Sequence, residues 1–128
     1  MSGEFGVTSL QNLVLREQAL SPRDRQVSKE LRERILAARG TQVRRLILYG
    51  SRARGEATPD SDFDLLVVEA DPVVPREERR QLRQLLEDLP VAVDVWVMGE
   101  IEFEETKGVI GGLAYPANKY GIVLSEIS

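Results

Sequence analysis

Cysteine and histidine are both missing from the 128-residue chain. Without thiols there is no disulfide and no thiol nucleophile, and without imidazoles no Cys/His zinc site and no histidine-based triad. Carboxylate chemistry is what remains. No apolar run approaches the ~20 residues of a membrane span, and Met1 to Phe5 is not a basic start followed by an apolar core, so the expectation is a cytoplasmic chain with no membrane contact. An excess of positive charge is lacking too. Lys+Arg number 17 against 21 Asp+Glu, a net charge of -4, which argues against broad attraction to nucleic acid or anionic membrane; an anionic ligand would have to be met by a local cationic cluster. The length suits one domain that buries roughly two-thirds of its unfolded surface.

Residues Gly50 to Val68 read GSRARGEATPDSDFDLLVV and organise the rest. A Gly-Ser pair closes one apolar run, Leu46 to Tyr49, and after a polar turn a second apolar run opens with Asp62 and Asp64. The segment Asp62 to Val68 is rich in aliphatic and β-branched residues and reads as a strand. Strand side chains alternate at about 3.3 Å per residue, so Asp62 and Asp64 share a face about 6.6 Å apart at the backbone, while Phe63 and Leu65 point into a core. Two carboxylates on one face of an apolar strand are costly unless a cation lies between them, and a divalent metal is the simplest candidate.

The remaining elements follow from punctuation and periodicity. Ser21-Pro22 is a helix start, and Val27, Leu31, Ile35 and Ala38 fall on one face of a helix that Gly40 stops. Val43 to Tyr49 is the first strand, and Arg52-Ala53-Arg54 begins a short helix whose free N–H groups favour an anion. Gly55 and Thr58-Pro59-Asp60 turn the chain into the second strand. A loop spans Pro72 to Pro75, and Arg76 to Leu89 is a helix with Leu82, Leu85, Leu86 and Leu89 at core spacing. Its arginines, interleaved with acids, read as a solvated face. Val91 to Met98 is the third strand, with Ala92, Asp94 and Trp96 on one face; Asp94 has apolar neighbours and needs a partner, and Trp96 reads as core. Ile101 to Ser128 reads as one or two short helices and a final apolar run, Ile122-Val123-Leu124. Residues 1 to about 20 read as an extension, either a short amphipathic helix or partly disordered, to a domain at 21–128.

Gly50-Ser51, the ten residues Arg52 to Ser61, and then Asp62-Phe63-Asp64 resemble the signature of the minimal nucleotidyltransferases, single-domain members of the DNA polymerase beta-like superfamily. The segment Ala117 to Leu124 is also similar to their closing segment, and the resemblance covers about residues 22 to 128. It implies an α/β (α+β) nucleotidyltransferase fold, a mixed sheet flanked by helices. Asp94 matches the family's third carboxylate, on the strand that follows after one helix. The implied metal ligands and catalytic residues are therefore Asp62, Asp64 and Asp94, around two Mg²⁺ ions, with Mn²⁺ as the alternative. Three convergent carboxylates raise at least one pKa in the metal-free protein.

By the same resemblance Gly50 and Ser51 hold the terminal phosphates, Gly50 because a side chain there would block close approach. Arg52 and Arg54 are candidates to neutralise the triphosphate, with Glu56 as a competing partner and Ser51 also a candidate helix cap. The implied reaction moves a nucleoside monophosphate, AMP from ATP, to a hydroxyl. Similar family members sit beside a small helical HEPN-domain toxin and adenylylate one of its tyrosines, so a HEPN-domain partner is the implied acceptor. Two other readings stand beside this one: a non-catalytic antitoxin that acts by occlusion, and transfer to a small-molecule hydroxyl in a pocket completed by a homo-oligomer.

Overall fold

The computed structural model describes residues 20–127; the expected extension at 1–20 lies outside them apart from Leu20. Helix α1 (Pro22–Arg39) starts as the sequence demands, with Ser21 Oγ accepting from the Asp24 N–H at 3.1 Å and Pro22 in the first turn. Leu31 and Ile35 are fully buried, but Ala38 is exposed, and the face is completed by Ser28 and by Leu20 ahead of the helix. A 3₁₀ turn (Gly40–Gln42) leads into β1 (Val43–Tyr49), followed by the four-residue α2 (Gly50–Ala53) and β2 (Phe63–Glu69). Then come α3 (Pro75–Leu86), β3 (Val93–Gly99), α4 (Glu100–Thr106), α5 (Ala114–Tyr120) and β4 (Ile122–Glu126).

The strands form one mixed sheet in the order β3-β2-β1-β4. Strand β1 runs antiparallel to β2 and to β4, while β2 and β3 are parallel, joined by the α3 crossover. Alternation decides what each face does. Leu46, Leu48, Phe63, Leu65, Val67, Val95 and Val97 point to one side, where they pack with Leu31 and Ile35 of α1 and Leu82 and Leu86 of α3. Ile47, Leu66 and Val68 point to the other, against Phe103 of α4 and Ala114 and Ala117 of α5. Each such fully buried aliphatic or aromatic side chain contributes about 1.5–3 kcal/mol, so the central pair β1–β2, buried on both faces, is the stable spine of the domain.

Several boundaries differ from the sequence expectation. The second strand begins at Phe63, so Asp62 precedes it and is exposed; α2 begins at Gly50 and not Arg52; α3 stops at Leu86, although Leu89 remains buried. Trp96, expected in the core, is 40% exposed. The reason is topological: β3 is an edge strand, and the face that Trp96 shares with Asp94 is covered only farther along, where Met98 meets the smaller core. At the opposite end of β2, Glu69 is fully buried. It accepts from the Gln42 amide and lies beside Glu78, which Arg39 grips through Nε at 2.7 Å and Nη2 at 2.9 Å. Burial, reinforced by Glu78, pushes the Glu69 carboxyl up to about 8. Among the described residues no helix is long and apolar enough to cross a membrane.

Candidate active site

The site forms where β1 ends and β2 and β3 begin. Asp64 is the cross-strand partner of Tyr49 on one side and of Asp94 on the other, which sets the two aspartate backbones about 4.8 Å apart. Both carboxylates emerge on the face that carries Leu66, Val68 and Met98, since they sit at even steps from those residues along their strands. Asp62 is close enough to act on Asp64 through space. Burial, and then the neighbouring charges of Asp94 and Asp62, push the Asp64 carboxyl above the usual carboxylate range, with Arg54 opposing them. Half-buried Tyr49 is pushed up as well, first by burial and then by Asp64 and Asp94, so its phenol stays protonated.

Gly50 is fixed at this point by contact. Its φ of +75° is a left-handed conformation, and a β-carbon built on it would lie 2.1 Å from Asp64 Oδ2 and 3.0 Å from Cγ. The backbone of the Gly-Ser bend therefore touches the middle carboxylate directly, and only glycine fits. The next residue, Ser51, is half-buried, and its carbonyl accepts from the Glu56 N–H at 2.9 Å. No side chain caps the N-terminus of α2.

The two arginines after Ser51 part company. Arg54 is exposed and pairs with Glu56 at 3.2 Å. Arg52, expected at the phosphates, is buried and turned elsewhere. Its Nη1 lies 3.0 and 3.1 Å from the two oxygens of Asp24, Nε donates to the Ser61 carbonyl at 3.1 Å, and Nη2 reaches the carbonyls of Ser61, Pro59 and Thr58. The guanidinium also lies 4.2 Å from the Phe63 ring centroid. Every nitrogen is engaged, so Arg52 clamps the loop between the two halves of the signature onto α1. Its partner Asp24 is remote in sequence, which is why the role was not legible there.

Asp94 has partners that the sequence does not announce. Trp96 Nε1 donates to Oδ2 at 3.1 Å and Arg79 Nη2 approaches Oδ1 at 3.4 Å. Arg79 comes from α3 around the open edge of β3, donates Nε to the Val95 carbonyl at 2.7 Å, and stacks 3.7 Å from the Trp96 ring centroid. Asp94 is thus half-exposed rather than sealed among apolar neighbours, and its ion pair lies next to Asp64. Among the described residues no three acidic side chains are drawn tightly enough together to hold a metal ion; Arg79 and Trp96 hold one of the three, and Asp62 faces solvent. The donor set nonetheless suits a hard divalent cation: it is all oxygen, all anionic, and its middle member is strained by its neighbours' charge.

Comparison with known proteins agrees with the fold. A search of curated proteins gives no match. Among solved structures, a mutant of the toxin-antitoxin MntA-HpeT aligns with a TM-score of 0.55 at 16% identity, over 78% of this chain and 73% of that one. A toxin-antitoxin crystal structure with AMP-PNP aligns with a TM-score of 0.56 at 19% identity, over 77% of this chain and 73% of that one. At such identities the likeness concerns the fold. The family model described as "Nucleotidyltransferase domain" matches residues 25–115, a span that holds the Gly-Ser bend and all three aspartates. On that match, the chain belongs to the nucleotidyltransferase domain family.

Proposed function

We propose that this nucleotidyltransferase transfers a nucleoside monophosphate, AMP from ATP, to a hydroxyl on a partner protein in a Mg²⁺-dependent reaction, with the catalytic domain at residues 21–128. The observation that carries the reading is the in-register pairing of Asp64 with Asp94, with Asp62 in electrostatic reach and Gly50 packed on the middle carboxylate. Asp62, Asp64 and Asp94 would hold the ions. Divalent ions bound there would neutralise the three carboxylates and stabilise the charge that develops on the transferring phosphoryl group.

The chain's own groups account for the rest. Gly50 and Ser51 offer backbone N–H groups and a hydroxyl to the terminal phosphates, and Arg54, exposed beside Asp64, supplies the cation for which Arg52 has no free donor. The acceptor oxygen attacks the α-phosphorus as the bond to pyrophosphate breaks, and Asp94, half-exposed on the edge strand β3, takes the hydroxyl proton. For Asp94 to do so it must turn away from Arg79. The protein acceptor is read from the resemblance to antitoxins that modify a HEPN-domain toxin, and the toxin-antitoxin proteins of like fold support it.

The test is incubation with the co-encoded helical partner, Mg²⁺ and α-labelled ATP. Label should appear on the partner and be lost with Asp62→Ala/Asp64→Ala. An unlabelled partner in a verified complex, or neutralisation of the partner that survives the double substitution, overturns the proposal and favours occlusion.

A further inference from the structure

A second concavity lies apart from the carboxylate site. It is a groove of about 770 Å³ between α3 and the open edge of β3, lined by Arg76, Arg79, Arg80 and Arg83 with Glu77 and Glu87 among them, and by the exposed Val74. The four arginines recur at helical spacing, so one face of α3 carries them all. Arg80 is paired with Glu77 and Arg79 with Asp94. Arg76 and Arg83 are exposed and have no ion pair among the described residues. Four arginines against two glutamates leave the groove positive on a chain of net charge -4, and Arg79 links it around the edge of β3 to Asp94.

We propose that this groove is the docking surface for the protein acceptor, and that its occupant is an acidic amphipathic helical segment of that partner. The proposal rests on the transferase reading for what the docking achieves, but not for the docking itself. Charge complementarity selects an acidic ligand, and Val74, 69% exposed in the groove lining, selects one with apolar residues on its other face. A nucleic acid is disfavoured by the overall acidity and by the single aromatic platform, since Trp96 already has Arg79 stacked on it. A helix is favoured over an added strand because Arg79 Nε occupies the Val95 carbonyl, which an incoming strand would need. Docked there, the partner lies along the edge strand and can present a hydroxyl at Asp94. It also competes for Arg79, which releases Asp94 toward the other two carboxylates.

The only tryptophan of the chain, Trp96, is stacked on Arg79 of the groove and reports on it. Intrinsic fluorescence is titrated with a synthetic Leu/Glu amphipathic helical peptide, its Leu/Lys counterpart, and a single-stranded RNA oligonucleotide. The Leu/Glu peptide should give a saturable, salt-sensitive change, weakened about tenfold or more in Arg76→Glu/Arg83→Glu and only partly in Arg76→Gln/Arg83→Gln. Both variants should keep the wild-type circular dichroism, since both positions are exposed on the helix surface. With the native acceptor protein, the charge reversal should raise the KM for the acceptor and leave that for the nucleotide unchanged. A response to RNA alone, equal responses to the two peptides, or charge-reversed protein that binds peptide and acceptor like wild type overturns the proposal. Failure of the transferase reading would show differently, as intact peptide binding with no transfer to any acceptor.

Discussion

Replacing Gly50 by alanine tests the contact on which the site is built. Two costs follow from the geometry. The backbone at φ +75° penalises a side chain by about 1–2 kcal/mol. Separately, the new β-carbon would stand 2.1 Å from Asp64 Oδ2, so the carboxylate must withdraw by about 1 Å, a displacement that costs on the order of 10²-fold in rate when a reacting group is misplaced. Gly55 is the internal control: its φ is +74°, yet nothing lies within 4 Å of a β-carbon built there. Gly55→Ala should therefore lose stability alone, with a melting temperature several degrees lower and near-normal transfer. Gly50→Ala should lose as much stability and about 10²-fold in kcat/KM besides. The assay is initial-rate transfer of label from α-labelled ATP, alongside thermal unfolding of both variants. A Gly50→Ala enzyme within threefold of wild type, or a Gly55→Ala enzyme equally impaired, would refute the claim that contact with Asp64 matters.

Other outcomes follow from the same geometry. Asp64→Asn should lower transfer by about 10³-fold and abolish calorimetric Mn²⁺ binding, while it raises the melting temperature in metal-free buffer because the middle charge of a repelling trio is gone; unchanged Mn²⁺ binding would count against the ligand set. Arg52→Met leaves the half-buried Asp24 without its cation and three loop carbonyls without their donor, and should cost about 3–5 kcal/mol in urea unfolding, whereas Asp24→Asn should cost less; a neutral Arg52→Met would dismiss the clamp. For Glu69 the folded carboxyl, at about 8, lies above its unfolded value of roughly 4.3. The folded state therefore holds the extra proton between those limits, and stability falls as pH rises through that window, being fully present below it. Glu69→Gln removes this slope, so the variant should gain melting temperature relative to wild type near pH 8 and gain little near pH 4; equal differences at both would exclude Glu69 as the titrating group.

Much of this architecture could be read in the sequence, for reasons tied to particular residues. Asp62 and Asp64 stand out because two carboxylates open an apolar run, at the family's ten-residue interval from Gly50-Ser51. Ser21-Pro22 marks a helix start because its chemistry is local. What escaped was tertiary. Nothing near Arg52 announces that Asp24 will neutralise it, so its proximity to the bend suggested phosphate. Strand order is equally silent in sequence. Trp96 and Asp94 look buried in a run of valines, and only the position of β3 at the sheet's edge exposes both. Arg79 was lost among its neighbours on a charged helix, although recurrence of arginine at 76, 79, 80 and 83 was a visible signal that these side chains share a side.

The Arg52 clamp has a mechanical corollary. Because one guanidinium ties Asp24 in the opening turns of α1 to the carbonyls of residues 58, 59 and 61, tension on the front of α1 is delivered to the stretch of chain just ahead of Asp62. The acidic end of the sheet is thus tethered to whatever holds the amino-terminal side of the domain, and a load applied there would shift Asp62 before it disturbed the packed strands.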